Sequence, residues 1–238
     1  MERSISETRV GKPIGAFYLY RTDGIFQSMD EVNAHVNKDG QLLQPNAQPG
    51  DIRFKDLDGN GSIDAGDKEY CGSGIPTLEA NLNLSFGYKG FDLSIVLGSA
   101  WNFKLYNGNK YFYEGMNSKS NMLKSTLNAW TPDNRNTDVP RAGYQDPNGN
   151  RESDRFLENG DFVRLRQAQL GYTLPKSLMQ KFYIEKLRFY VSGENLFTIT
   201  GYDGIDPEFS RASVLNTGVD KLIYPFTRSF TVGAQLTF

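Results

Sequence analysis

Twelve residues from Asp56 to Asp67, Asp-Leu-Asp-Gly-Asn-Gly-Ser-Ile-Asp-Ala-Gly-Asp, put an oxygen donor at the first, third, fifth, seventh, ninth and twelfth positions of one loop. Calcium takes about six to eight oxygen ligands, and a loop of this length supplies them at this spacing. Asp56, Asp58, Asn60, Asp64 and Asp67 offer side-chain oxygens, and Ser62 its backbone carbonyl. Gly61 holds the sixth position, where a sharp turn demands glycine. Ile63 follows as an inward anchor. Asp67 stands where glutamate is usual, so its carboxylate reaches less far. The spacing predicts a structural Ca2+ that pins a long loop; a solvated Asp/Asn/Gly turn is the plainer alternative. No helix pair is predicted around it, so no calcium sensor is expected.

Aromatic residues form the second chemical group. Trp101, Tyr106, Tyr111, Phe112, Tyr113, Trp130 and Tyr144 all fall between Ala100 and Asp161. Flat aromatic faces stack on sugar rings, and nearby Asn and Asp groups accept hydroxyl hydrogens. Trp101, Tyr106, Tyr111, Tyr113 and Trp130 are therefore the candidate substrate contacts. Packing of the loop, or a seat in the lipid headgroup belt, accounts for the same residues. Arg164 and Arg166 lie on the polar side of a strand, where they either attract an acidic substrate or pair with carboxylates. His35 is the only histidine, which leaves little material for a Ser-His-Asp triad or a multi-histidine zinc site. No phosphate-binding G-x-x-x-x-G-K-[ST] run occurs. No enzyme is expected, and His35 reads as a loop surface residue. Cys71 is the only cysteine and reads as a small packed residue.

The elements that must position these groups are strands. In Arg228–Phe238, Phe230, Val232, Ala234, Leu236 and Phe238 alternate with Thr231, Gly233, Gln235 and Thr237, giving one apolar and one polar face. A membrane strand takes about 9–11 residues, and this segment is that long. Leu78–Lys89 repeats the pattern, Gly90 marks a tight turn, and Phe91, Leu93, Ile95 and Leu97 resume it. Phe162–Leu174 begins with Val163 and Leu165, then changes phase to Ala168, Leu170, Tyr172 and Leu174, which predicts a β-bulge. Leu187, Phe189 and Val191 open another strand running towards Phe197, and Phe17–Thr22 reads as a sixth. Lys176–Phe182 fits one helical turn, and Asn121–Trp130 fits a short helix.

The connections alternate between short turns and long loops, the latter over 23–77, 100–161 and 201–227. That asymmetry belongs to outer-membrane barrels, with the long loops outside the cell. With six strands and a periplasmic end, every long loop falls on the outer side. The chain has 238 residues and a formal net charge of -2. Its mean hydropathy is -0.52, compatible with strands of which half face water. The charge gives no sign of a nucleic-acid partner. No apolar run suggests a membrane helix. Six strands cannot close a membrane barrel, whose smallest members have about eight, and Met1-Glu-Arg-Ser lacks the apolar core of a signal peptide. The chain is accordingly expected to be part of a longer one.

Several ordered motifs carry a resemblance to a known family: Gly15-Ala-Phe-Tyr-Leu-Tyr-Arg-Thr-Asp-Gly-Ile-Phe-Gln27, Pro49-Gly-Asp-Ile-Arg-Phe-Lys-Asp-Leu-Asp-Gly-Asn-Gly-Ser-Ile-Asp64 and Asn83-Leu-Ser-Phe-Gly-Tyr-Lys-Gly-Phe-Asp-Leu-Ser94. Asn159-Gly-Asp-Phe-Val-Arg-Leu-Arg166, Leu170-Gly-Tyr-Thr-Leu-Pro175 and Val191-Ser-Gly-Glu-Asn-Leu-Phe-Thr198 follow. Over nearly its whole length the chain resembles the C-terminal part of the SusC/RagA family of TonB-linked outer-membrane transporters of Bacteroidetes. The resemblance implies an all-β fold: about six C-terminal strands of a 22-stranded, plugged antiparallel barrel, multi-pass in the cell outer membrane, its plug domain lying outside residues 1–238. It also implies nutrient uptake of oligosaccharides or peptides, powered through the TonB complex and shared with a SusD-like lipoprotein. The other reading of the residues is a soluble, calcium-stabilised β-domain for carbohydrate binding or adhesion. The two differ in where the apolar strand faces go: to lipid, or to a second sheet.

Overall fold

The computed structural model describes residues 5–116, 119, 121–143, 151–179, 183–209 and 214–238. Tyr144 and the end of the turn expected over Lys176–Phe182 lie outside them. In chain order the strands are β1 (Ser6–Glu7), β2 (Ala16–Tyr20), β3 (Thr22–Ile25), β4 (Ile52–Phe54), β5 (Lys68–Gly72), β6 (Leu78–Tyr88), β7 (Phe91–Trp101), β8 (Lys104–Asn107), β9 (Leu157–Asn159), β10 (Phe162–Thr173), β11 (Lys186–Thr200), β12 (Val219–Asp220) and β13 (Ser229–Thr237). The chain divides into two compact units. One takes residues 1–75, 104–158 and 210–223; the other takes 76–103, 159–209 and 224–238.

The second unit is a single antiparallel sheet of five strands in the order β13-β11-β10-β7-β6. Its register lines up the apolar positions. Leu82 faces Leu97, and Phe86 faces Leu93. Leu170 lies between Leu93 and Val191, and Val191 faces Val232. The alternation read from each strand thus becomes one continuous apolar face. Among the described residues no second sheet covers it: Phe86 is 59% exposed, Leu170 47% and Val232 84%. The opposite face carries Asn83, Ser85, Asp92, Gln167, Gln169, Arg188 and Ser192. The soluble reading required these apolar sides to be pressed against another layer, and in this unit they are not.

Two local features hold the register. Lys89 and Gly90 have φ of 44° and 89°, the pair of positive values of a type I′ hairpin. A β-carbon at Gly90 would also lie 2.7 Å from the Thr173 carbonyl oxygen. The phase change in β10 is a true bulge: the register to both neighbours shifts between Leu165 and Gln167. On the partner strand Asn195 has φ of 51° and donates its amide to the Thr227 carbonyl at 3.1 Å. Asparagine tolerates that left-handed conformation better than most residues.

The expected sixth long strand is corrected. In place of one strand over Phe17–Thr22 stand β2, in a small sheet with β1 and β5 in the first unit, and β3, which starts at Thr22 and pairs with β4. Ala16, Phe17, Tyr18 and Leu19 are all buried, so the segment has no wet face. The five residues of β2 also fall short of a membrane-spanning strand. The first unit is built largely from the segments read as long loops, and these fold around apolar clusters of their own. Ile5, Phe17, Leu19, Tyr106, Phe156 and Val219 form one; Ile25, Ile52, Phe54 and Trp130 form another. Of the expected short helices, Lys176–Met179 is helical. The segment 121–130 is reduced to a 3-10 turn at Lys124–Asn128 with no buried residue; only Trp130, beyond the turn, is drawn into a core.

Phe156 is fully buried and meets both Tyr106 and Tyr111 edge-on or tilted. Replacing it with alanine is expected to destabilise the first unit by about 3–5 kcal/mol, read as a lowered urea midpoint of the purified protein.

Candidate functional site

The acidic loop is shaped by its own side chains. Asp56 accepts from the amides of Gly59 at 2.7 Å and Gly61 at 3.0 Å. Asp58 accepts from Asn60 at 2.9 Å, and Asn60 from Ser62 at 2.8 Å. These are successive Asx turns, in which a short polar side chain holds a backbone amide two or more residues on. Asp67 is fully buried and closes the loop, accepting from Leu57 at 2.7 Å and Asp64 at 2.8 Å. Asp64 caps the 3-10 turn Ala65–Asp67 in a reciprocal capping box.

This folding brings three of the predicted ligands together. Carboxylate oxygens of Asp56, Asp58 and Asp67 lie within 4.8 Å of one another. Asn60 ties the set to Asp64, donating to Asp58 at 3.0 Å and to Asp64 at 3.2 Å. A β-carbon at Gly66 would lie 2.5 Å from the Asp58 carboxylate, so glycine is what lets the loop close so tightly. Each carboxylate oxygen that accepts an amide keeps further lone pairs. The donors are hard oxygens of the kind calcium prefers. Ile63 packs against the Ile25–Ile52–Phe54–Trp130 cluster, and Arg151 donates to its carbonyl at 2.9 Å. The loop is thus anchored on a folded body.

The aromatic candidates separate. Tyr106 is fully buried and Trp130 is 7% exposed. Trp130 donates its indole hydrogen to Gln27 at 3.0 Å. Both are packing residues, which corrects the expectation that they meet a substrate: their ring faces are taken up by neighbours in the two clusters. Tyr111 is half-buried against Tyr106 and Phe156, and Tyr113 is half-buried. Trp101 ends β7 and is 39% exposed. Trp101 belongs to the sheet unit, whereas the other four belong to the loop unit.

Arg164 and Arg166 pair with carboxylates. Arg164 is 2% exposed and bonds Asp206, with Glu208 at 3.5 Å. Arg166 reaches Glu208 at 2.8 Å. The guanidinium of Arg164 also lies 5.1 Å from the Phe226 ring centre. Asp206 accepts the Phe226 amide at 3.1 Å, so one arginine ties both legs of the connection between β11 and β13. Removing one member of such a buried pair typically costs about 3–5 kcal/mol. Asp206 and Glu208 were not anticipated from sequence: they stand 42 residues from their partners in a stretch with no periodicity. A second pair, Arg188 with Asp92 at 2.9 Å, spans the intervening strand β10 over Gly171, where a β-carbon would collide with both groups.

His35 is corrected from surface residue to half-buried packing group. Its Nε2–H donates to the Phe54 carbonyl at 3.0 Å, and its ring meets Phe26 edge-on at 5.4 Å. Cys71 is half-buried against the Tyr106 cluster, and burial pushes its thiol up.

No protein-family model matches the chain. The TonB-dependent receptor P3 of Formosa agariphila is 33% identical over the whole chain, which covers 23% of that protein. The TonB-dependent receptor SusC of Bacteroides thetaiotaomicron is 28% identical over 97% of the chain, covering 20% of that protein. Among solved structures, that of the RagAB peptide transporter superposes with a TM-score of 0.77 at 27% identity, over 100% of this chain and 24% of the matched one. The RagAB peptide importer in its open-open state gives 0.74 at 26% identity, again over 100% of this chain and 24% of the matched one. The chain thus spans about a quarter or less of the length of these relatives.

Burial holds His35 below its ordinary value of 6.5, with Arg53 adding to the effect. The unfolded chain therefore takes up the proton first as pH falls. Stability is expected to be level above pH 6.5 and to decline below it, down to the folded value. Proton NMR titration of the ring should give a midpoint below 6.5, and His35→Gln should remove that part of the slope.

Proposed function

We propose that the chain is a piece of a SusC/RagA-type TonB-dependent receptor, the family it is similar to over nearly its whole length, and that it builds part of the barrel wall and the outer loops of an importer of oligosaccharides or peptides. Receptors of this family are outer-membrane β-barrel proteins. The observation that carries the reading is the uncovered apolar face running unbroken across β6, β7, β10, β11 and β13. Hydrocarbon is the solvent that suits such a face, and the polar face opposite it then lines the lumen. In hydrocarbon every backbone group must be paired, so the outer edges of β6 and β13 meet strands supplied by the rest of the receptor. The proposed partners are outer-membrane lipid, a SusD-like lipoprotein on the outer side and the TonB complex on the inner side. Peptide is the cargo named for the RagAB transporters, and oligosaccharide is the other class proposed here. Trp101, Tyr111 and Tyr113 keep partly accessible rings and stay as the proposed substrate contacts.

We also assign the acidic loop a structural Ca2+ held by Asp56, Asp58, Asn60, Ser62, Asp64 and Asp67. Bound calcium would neutralise the crowded carboxylates and fix the loop that seats Ile63 on the loop unit. The support is the convergence of three of these carboxylates and the all-oxygen donor set.

Three experiments test these readings. In cells, the whole receptor should fractionate with the outer membrane and require detergent for extraction; recovery as a monodisperse detergent-free protein would overturn the membrane assignment. Within it, Leu170→Lys on the apolar face should cost about 2–4 kcal/mol near the bilayer midplane, while Gln169→Lys next to it should stay within about 0.5 kcal/mol; heat-modifiable gel mobility of the folded barrel reads both. For the loop, calcium restored to chelator-treated receptor should stabilise it by about 2.7 kcal/mol at a hundredfold excess over Kd. Asp58→Asn should reduce that gain, and a melting curve indifferent to calcium would remove the ion.

A further inference from the structure

Beside the buried Arg164–Asp206 pair, the sheet unit contains a cavity of about 240 Å³. Its floor is the outer end of β11, with Phe197, Thr198 and Thr200, and its walls are the two legs of the connection to β13, at Pro207 and Phe226. Arg228, one residue before β13, also lines it. All these residues belong to one compact unit.

The charges in this cavity do not cancel. Asp206 is engaged by Arg164 on one side and by the amides of Glu208 and Phe226 on the other. Glu208 is shared between Arg164 and Arg166. Among the described residues no carboxylate pairs with Arg228. One arginine is therefore left over on the lining of a small, partly apolar cavity. A guanidinium presents a planar fork of donors that matches a carboxylate. The proline and phenylalanine surfaces suit the flat side of a ring or a short side chain. The volume lies below the roughly 300–1,000 Å³ of sites for drug-sized ligands, so it admits one terminal unit of a longer molecule.

We propose that this cavity is an anion subsite in which Arg228 binds a carboxylate carried on a single sugar or amino-acid unit. The inference rests on the importer reading above, because the polar face of the sheet must be the side a solute passes. A uronic-acid sugar and a peptide C-terminus share this chemistry, and the test separates them.

The whole receptor, purified in detergent, is titrated with D-glucuronate, with N-acetylalanine and with neutral glucose, and ligand saturation-transfer NMR reads the affinity. At least one carboxylate should bind tenfold or more tightly than glucose. Arg228→Gln should abolish the difference, and Arg228→Lys should restore part of it. Preference for glucuronate over N-acetylalanine identifies the source as an acidic saccharide, and the reverse identifies a peptide end. Equal binding of all three probes, or an Arg228→Gln receptor that still prefers carboxylates, would overturn the subsite. Arg228 is exposed, so its replacement should leave folding intact; outer-membrane insertion of the variant, read by fractionation, is the control. A variant that inserts normally but has lost nothing refutes the subsite alone. A parent receptor that never reaches the outer membrane refutes the importer reading instead.

Discussion

A strand lying in hydrocarbon has nowhere to send an unpaired amide or carbonyl except to another strand. On the proposed membrane placement, that constraint governs the sheet unit. It explains why its five strands run antiparallel with an unbroken ladder, apart from the one bulge. It also explains the side-chain code: with the ladder fixed, each residue can only choose between two sides, and the sequence sorts most apolar residues to one side and most polar residues to the other. Where the alternation would fail, at the change of phase in β10, the structure inserts an extra residue so that the sides stay sorted.

The polar side poses a different problem. Long charged side chains must lie down across a crowded surface, and glycine on the intervening strand makes room for them. Arg188 crosses Gly171 to reach Asp92, and Arg166 runs along Gly98. Small residues here are therefore part of the charge chemistry rather than weak points in the strands. The loop unit has its own logic. Segments long enough to cost much conformational entropy recover it by building apolar clusters around Phe17, Tyr106, Trp130 and Phe156, and by tying turns with carboxylate-to-amide bonds.

Much of the sheet was legible because its signal is local. Alternation at Leu78–Tyr88 or Phe230–Phe238 needs no knowledge of the partner strand, and the bulge announced itself as a shift of phase between Leu165 and Ala168. The acidic loop was legible for the same reason, since its turns are made by residues two to five apart. Misreadings arose where the deciding contact is remote. Tyr106 and Trp130 looked like binding residues because sequence shows their chemistry but not the rings that cover them. Phe17–Thr22 looked like a barrel strand because sequence shows its β-forming residues but not that Phe17, Tyr18 and Leu19 are all buried, on both sides of the strand. His35 gave no hint of the Phe54 carbonyl, and Arg164 none of Asp206, because those pairings are fixed by the path of the whole chain.

The bulge at Arg166 has a bearing on how this wall tolerates change. Substitutions around it alter one side chain at a time. A one-codon deletion there would act as a frameshift in space, turning every later residue of half a strand to the wrong solvent while leaving composition almost untouched. Insertions and deletions should therefore be confined to the outer connections in natural variants, and tags or reporter peptides belong there as well.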